Sequence, residues 1–168
     1  MDLTNKTILI TGATDGIGKV LAEEFSKLGS NIILLGKNSS KLDAVYDQLD
    51  HSFDSQKHLI LEADLSLLNN ESAHEILRAI SNEYDALDGI IHNAAILGTM
   101  TPLEDYELSK WDEVLNINLR APFLLTKTLK SIVENSTMPR IIFTSSGVAN
   151  TGRAFWGAYS VSKFGLKG

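Results

Sequence analysis

The sequence predicts an α/β domain built on one doubly wound parallel sheet, and three observations carry that expectation. Short apolar runs alternate with helix-length amphipathic stretches from start to end, a glycine-rich turn joins the first run to the first amphipathic stretch, and polar residues gather where the apolar runs stop. No internal repeat or low-complexity linker divides the 168 residues, so a single domain with one sizeable core is expected.

The apolar runs are TILIT (7–11), NIILLG (31–36), HLILEA (58–63), GIIHNA (89–94) and RIIFTS (140–145). Runs of this kind suit strands buried on both faces under helices. The stretch 16–28 puts Ile17, Val20, Leu21, Phe25 and Leu28 on one helical face, and 72–84 does the same with Ile76, Leu77 and Ile80. A longer helical stretch, 109–135, carries Trp111, Val114, Leu115, Leu119, Leu124 and Leu125 and is interrupted at Pro122; a last helix is expected from about residue 155. Right-handed crossovers between parallel strands place ligands at the carboxyl ends of the strands.

Composition removes several function classes. The formal net charge of -6 argues against a nucleic-acid or anionic-membrane surface, which needs excess Lys and Arg. The chain has no Cys, so disulfides and thiolate metal sites are excluded, and its four His show no ligand spacing. Met1 leads into DLTNKTILIT without a basic region and long apolar run, and no run approaches the roughly 20 residues of a membrane span; a soluble cytoplasmic protein is expected.

TGATDGIG (11–18) follows the first strand and opens the first helix, the setting of a nucleotide-binding loop. Gly12 permits a tight turn, Gly16 lets a pyrophosphate approach the backbone, and Gly18 permits close helix packing; the helix N-terminus offers free N–H groups and a positive dipole. At the end of the second strand, GKNSS has no acidic side chain to accept from a ribose 2′-OH. Lys37 offers a cation and Asn38 and Ser39 offer donors, which favours NADP(H) and leaves NAD(H) as the second choice; equally, Asn38 and its serines read as a helix cap. Asp15 inside the loop weighs against a strongly basic phosphate pocket. Asp64, after the third strand, reads either as an acceptor for an adenine amino group or as a turn former. Asn93 ends the fourth strand, with small Ala94 and Ala95 leaving room for a ligand, and His92 reads as a core side chain.

Tyr159 and Lys163 share a helix face at a spacing of four residues. A tyrosine that exchanges protons near neutrality must titrate below its free value of about 10, and a neighbouring ammonium pushes it that way. Ser146, with Ser145 as rival, lies where it can donate to a substrate oxygen. In NINLRAP (116–122), Pro122 has no N–H for the carbonyl of Asn118, four residues earlier; that carbonyl is expected to hold a water near Lys163, unless the proline merely kinks the helix for packing.

Together, TGxxxGxG at 11–18, Asp64, NAA at 93–95, Asn118, Ser146 and Tyr159-x-x-x-Lys163 resemble the short-chain dehydrogenases/reductases of compact single-domain type. FTSSGVANTGRAFWGAYSVSKF and HNAAILG are similar to the YciK-like branch of bacterial oxidoreductases. The family's usual separation of 13 residues selects Ser146 over Ser145. The resemblance implies a Rossmann-type fold. It implies Tyr159 as general acid/base, Lys163 as holder of the nicotinamide ribose, Ser146 as substrate orienter and Asn118 as keeper of a proton relay, acting on a small carbonyl or alcohol. Candidate cofactor residues are then Gly12, Thr14, Asp15, Gly16, Ile17, Gly18, Lys37, Asn38, Ser39, Asp64, Leu65, Asn93, Ala94 and Ala95, with Tyr159 and Lys163. Ala95 stands where the family has glycine, a mild change if φ there is negative. Such proteins run roughly 80 residues longer, to roughly 250. The chain is therefore expected to be the amino-terminal part of one domain that lacks its last strands and forms homodimers or homotetramers when whole. A catalytically incomplete NADP(H)-binding or dimerising module is the competing reading.

Overall fold

A computed structural model of the chain describes residues 2–168. Five parallel strands, β1 (Thr7–Thr11), β2 (Asn31–Gly36), β3 (Leu59–Glu62), β4 (Gly89–His92) and β5 (Arg140–Phe143), form one sheet in the order β3-β2-β1-β4-β5. Helices α1 (Gly16–Lys27), α2 (Ser39–Tyr46), α3 (Asn70–Glu83), α4 (Leu108–Leu115), α5 (Ala121–Thr128), α6 (Lys130–Val133) and α7 (Gly157–Lys167) connect and cover it. The strand order reverses between β1 and β4, which opens a crevice at their carboxyl ends.

Strand alternation divides the core in two. Leu9, Ile33, Leu35 and Ile90 pack against α3 and α5 through Ile76, Ile80, Leu124 and Leu125. Ile8, Ile10, Ile32, Leu34 and Ile91 point the other way, onto Ala22 and Phe25 of α1 and Leu42 and Val45 of α2. Side chains of this size contribute about 1.5–3 kcal/mol each when fully buried.

Burial on both faces holds in the middle of the sheet and fails at β5, whose four residues are all exposed. The sheet order explains this, since β5 is an edge. An apolar cleft of about 560 Å³ with Leu3, Phe25, Met138 and Ile142 in its walls lies along one face of this edge. Another, of about 410 Å³ with Leu119, Phe123, Phe143 and Leu166, lies along the other.

Four local details depart from the sequence pattern. Ile17 and Val20 of α1 are exposed, and the helix instead buries Gly18, Ala22 and Ser26, a row of small residues at i, i+4, i+8 that lets it lie close to the sheet. Leu59 rather than His58 starts β3, because the His58 ring enters the ladder in place of its backbone and its Nδ1 accepts the Ile32 N–H at 3.0 Å. The helical stretch 109–135 breaks into α4, a π-helical turn at Asn116–Arg120, α5 and α6. In that turn the Ala121 N–H reaches the carbonyl of Asn116, five residues back. The partner position of the N–H that Pro122 lacks then shifts from Asn118 to Ile117, so proline alone no longer singles out Asn118. At α3 the start moves to Asn70, because Asn69 and Ser72 form a reciprocal capping box, with Asn69 Oδ1 accepting from Ser72 N at 3.0 Å and Ser72 Oγ from Asn69 N at 3.1 Å.

Candidate active site

The glycine loop is shaped by the protein around it. Gly12 sits at φ 63 and Gly16 at φ 51, in the left-handed region. A Cβ on Gly12 would lie 2.8 Å from the Ala94 Cα, and one on Gly18 would lie 2.3 Å from the Gly12 carbonyl oxygen. Gly16 differs, since nothing lies within 4 Å of where its Cβ would stand. Two glycines are therefore required by packing, and the third faces open space.

Asn93 and Thr11 tie the strand ends to this loop. Thr11 Oγ1 accepts from the N–H groups of Asn93 (3.0 Å) and Ala94 (3.1 Å). The Asn93 amide donates to the carbonyls of Thr11 (3.4 Å) and Gly12 (3.3 Å), and its oxygen accepts from Thr144 Oγ1 (3.4 Å). The ends of β1, β4 and β5 are thus held together at the crevice.

That crevice is a cleft of about 390 Å³ walled by Gly12, Thr14, Asp15 and Gly16, by Gly36 and Lys37 after β2, by Ala63, Asp64 and Leu65 after β3, by Asn93, Ala94, Ala95 and Ile96 after β4, and by Ile117. Asp15 caps α1, its carboxylate accepting the Gly16 N–H at 2.7 Å. The N–H groups of Ile17 and Gly18 have no acceptor within the helix and remain at its positive end. Ala95 avoids positive φ: among the described residues the only non-glycines there are Asn5 (φ 61) and Phe155 (φ 69).

Several expected cofactor residues stand elsewhere. Asn38 caps α2, its Oδ1 accepting from Lys41 N at 2.9 Å, and neither it nor exposed Ser39 lines the cleft. Ile17 is exposed outside the cleft, and Gly18 is buried beneath it. Asp64 forms a turn, with Oδ1 accepting from Ser66 N (2.8 Å) and Ser66 Oγ (2.7 Å). Those bonds, helped by the charge of Lys37, hold its carboxyl below the usual range. Sequence reasoning missed Gly36, Ala63, Ile96 and Ile117. The first two adjoin expected residues and are small, which was a usable signal; the π turn that brings in Ile117 gave none.

Tyr159 and Lys163, carried by α7, do not line the cleft either. Lys163 is 2% exposed; its Nζ donates to the Thr144 carbonyl at 2.7 Å and stands 5.6 Å from the centre of the Tyr159 ring. Burial pushes the pKa of this ammonium down. Tyr159 is half-buried, with the Trp156 ring tilted against it at 5.8 Å. Ser146 caps the 3-10 turn Gly147–Ala149, its Oγ accepting from Val148 N at 3.4 Å, and α7 packs on that turn; Ser145 is exposed. Asn118 is fully buried, its Oδ1 accepting from Ile96 N at 2.9 Å and its Nδ2 donating to Ile96 O at 2.9 Å. His92 is buried as expected but only half satisfied. One ring nitrogen bonds Thr126 Oγ1 at 2.9 Å, Nδ1 has no partner, and burial pushes its pKa down to about 4. No helix of the described residues is long and apolar enough to cross a membrane.

Known proteins are similar to this chain in sequence and fold. The family model described as short chain dehydrogenase matches residues 6–168. The oxidoreductase YciK of Escherichia coli K12 is 36% identical over 166 residues, which cover 99% of this chain and 66% of that protein. The 3-oxoacyl-[acyl-carrier-protein] reductase FabG of Aquifex aeolicus is 32% identical over 166 residues, covering 99% of this chain and 65% of its own. A short chain dehydrogenase from Escherichia coli CFT073, solved in complex with NADPH, superposes with a TM-score of 0.92 at 36% identity, over 99% of this chain and 69% of that one. The chain spans about two thirds of the length of the curated relatives it matches. With its parallel sheet, its glycine loop and a match along nearly its whole length, the chain belongs to the short-chain dehydrogenase family.

Proposed function

We propose that the full-length protein, one domain of roughly 250 residues, is an NADP(H)-dependent oxidoreductase of the cytoplasm that interconverts a small carbonyl compound and its alcohol. The observation that carries this reading is the crevice itself. A cleft with an open glycine and the cation of Lys37 in its wall is tied by hydrogen bonds to the helix of a tyrosine and a buried lysine: Lys163 donates to the Thr144 carbonyl, and Thr144 Oγ1 donates to Asn93 in the cleft wall.

The residues fit a dinucleotide. The free N–H groups at the start of α1 would take the pyrophosphate beside Gly16, Lys37 would neutralise a 2′-phosphate, and Ala94 and Ala95 would leave room along the backbone. NADPH-bound and NADP-bound relatives support that preference, and NAD(H) is the second choice. Once bound, the nicotinamide supplies hydride chemistry. Tyr159 holds and gives the proton at its phenol oxygen, Lys163 would hold the nicotinamide ribose, and Ser146 Oγ donates to the substrate oxygen and orients it. Asn118, through its backbone carbonyl, keeps the proton route to solvent that the resemblance carries. The apolar residues that α4, α5 and α7 leave exposed, Leu108, Phe123, Val161 and Phe164, support a homodimer or homotetramer built on these helices.

Titration with NADPH, followed by a panel of aldehydes and ketones, tests the reading in the full-length protein. Turnover that disappears in Tyr159→Phe while NADPH still binds is the expected result; a Tyr159→Phe variant with unchanged turnover refutes it.

A further inference from the structure

Between Tyr159 and Lys163 on α7 lies Ser162, fully buried and with no part in the chemistry proposed above. Its Oγ donates to the backbone carbonyl of Tyr159 at 2.7 Å and accepts from Asn118 Nδ2 at 3.1 Å. A serine hydroxyl has one hydrogen to give, so giving it to the helix leaves its lone pairs turned to Asn118. The Asn118 amide has two, and the other goes to the carbonyl of Ile96, whose N–H returns to Asn118 Oδ1 at 2.9 Å. Every polar atom of this buried chain is used, and it joins three elements: Ile96 in the wall of the cleft, the π turn, and the helix turn that carries Tyr159.

We propose that Ser162 is a positioning residue of the reaction: through Asn118 it locks the helix turn of Tyr159 and Lys163 to the Ile96 segment of the cofactor cleft. This rests on the reading of Tyr159 as the acid/base. Small displacements between a proton donor and the reacting centre cost rate steeply, and a fully satisfied buried network holds one geometry where a partly satisfied one does not. A control lies two residues away. Ser160 sits on the same helix and is also buried, but its Oγ has no partner.

The experiment compares Ser162→Ala, Ser162→Cys, Ser160→Ala and Tyr159→Phe in the full-length protein, with NADPH and whichever carbonyl of the panel is turned over. Ser162→Ala is expected to lower kcat at least tenfold with the KM for NADPH within about twofold, to shift the pH profile of kcat, and to speed amide exchange at Ile96. Ser160→Ala should leave all four unchanged, and Ser162→Cys, of similar volume and a weak donor, should recover part of kcat. If Ser162→Ala keeps wild-type kcat and pH profile while Tyr159→Phe is dead, the proposal is overturned and the acid/base reading stands. If Tyr159→Phe is active, that reading falls and the proposal with it. Should Ser162→Ala fail to fold, Ser162→Cys decides by the same readouts, a wild-type kcat and pH profile overturning the proposal.

Discussion

Replacing Gly16 and Gly18 by alanine, one at a time, separates what the fold needs from what a ligand needs. A methyl on Gly18 meets two fixed groups, the Gly12 carbonyl oxygen at 2.3 Å and Asn93 Nδ2 at 2.7 Å. The first is backbone and the second is a side-chain amide held by three hydrogen bonds, so the turn must move. Overpacking of this kind costs about 1–3 kcal/mol. The move also strains the two Asn93 bonds that hold the loop, each worth about 0.5–1.5 kcal/mol. Alanine returns about 1 kcal/mol of helix propensity, which leaves a net loss of about 3 kcal/mol. A methyl on Gly16 meets nothing, and only its φ of 51 matters, a cost of about 1–2 kcal/mol. With a urea slope of about 2 kcal/mol/M, the unfolding midpoint should fall by about 1.5 M for Gly18→Ala and by about half that for Gly16→Ala. NADPH affinity should run against the ranking in stability, Gly16→Ala losing at least tenfold while still folded. Equal midpoints for the two variants, or a Gly16→Ala chain that binds NADPH as the parent does, would refute the division of labour within the loop.

Other consequences are as direct. His92 has its pKa lowered by burial to about 4, against about 6.5 in an unfolded chain. The unfolded state therefore binds more protons, and the stability present above pH 6.5 is lost as pH falls toward 4, by about 2 kcal/mol at pH 5. Urea melts at pH 7 and pH 5 should show that loss shrinking in His92→Gln; burial lowers the His58 pKa too, which leaves a remainder. Phe155 is 55% exposed and held at φ 69, so Phe155→Gly should raise the melting temperature by about 2–4 °C; a fall would show that its ring packs. Lys37→Glu should weaken NADPH binding at least tenfold relative to NADH, measured by fluorescence titration of both; an unchanged ratio would remove Lys37 from the 2′-phosphate site.

The parallel sheet and the loop after β1 were legible because their causes are local. A continuous apolar run means two covered faces everywhere but at the β5 edge, and the glycines at 12, 16 and 18 answer to backbone shape and close packing. Where two local causes compete, sequence left both open, and tertiary context chose. Asn38 went to the helix cap and Asp64 gave one oxygen to a turn, as residues of those types do when an N–H is close at hand. The face of α1 was misjudged because proximity to the sheet outweighed hydrophobicity, and Gly18, Ala22 and Ser26 won over Ile17 and Val20. The π turn escaped because no local pattern of residues announces a shift from four to five residues in the ladder. For Asn118 the residue was found and the reason moved: its side chain, bonded at every polar atom, marks the position more firmly than the proline does.

The open edge at β5 governs how this chain behaves among copies of itself. A parallel edge with exposed Ile141, Ile142 and Phe143 offers a row of unpaired backbone groups bordered by oily clefts, and its guards, Pro139 and Arg140, stand only at its start. At high concentration, strand-to-strand adhesion along this edge is the expected route to precipitation, and Ile142→Lys is the single charge placed to slow it.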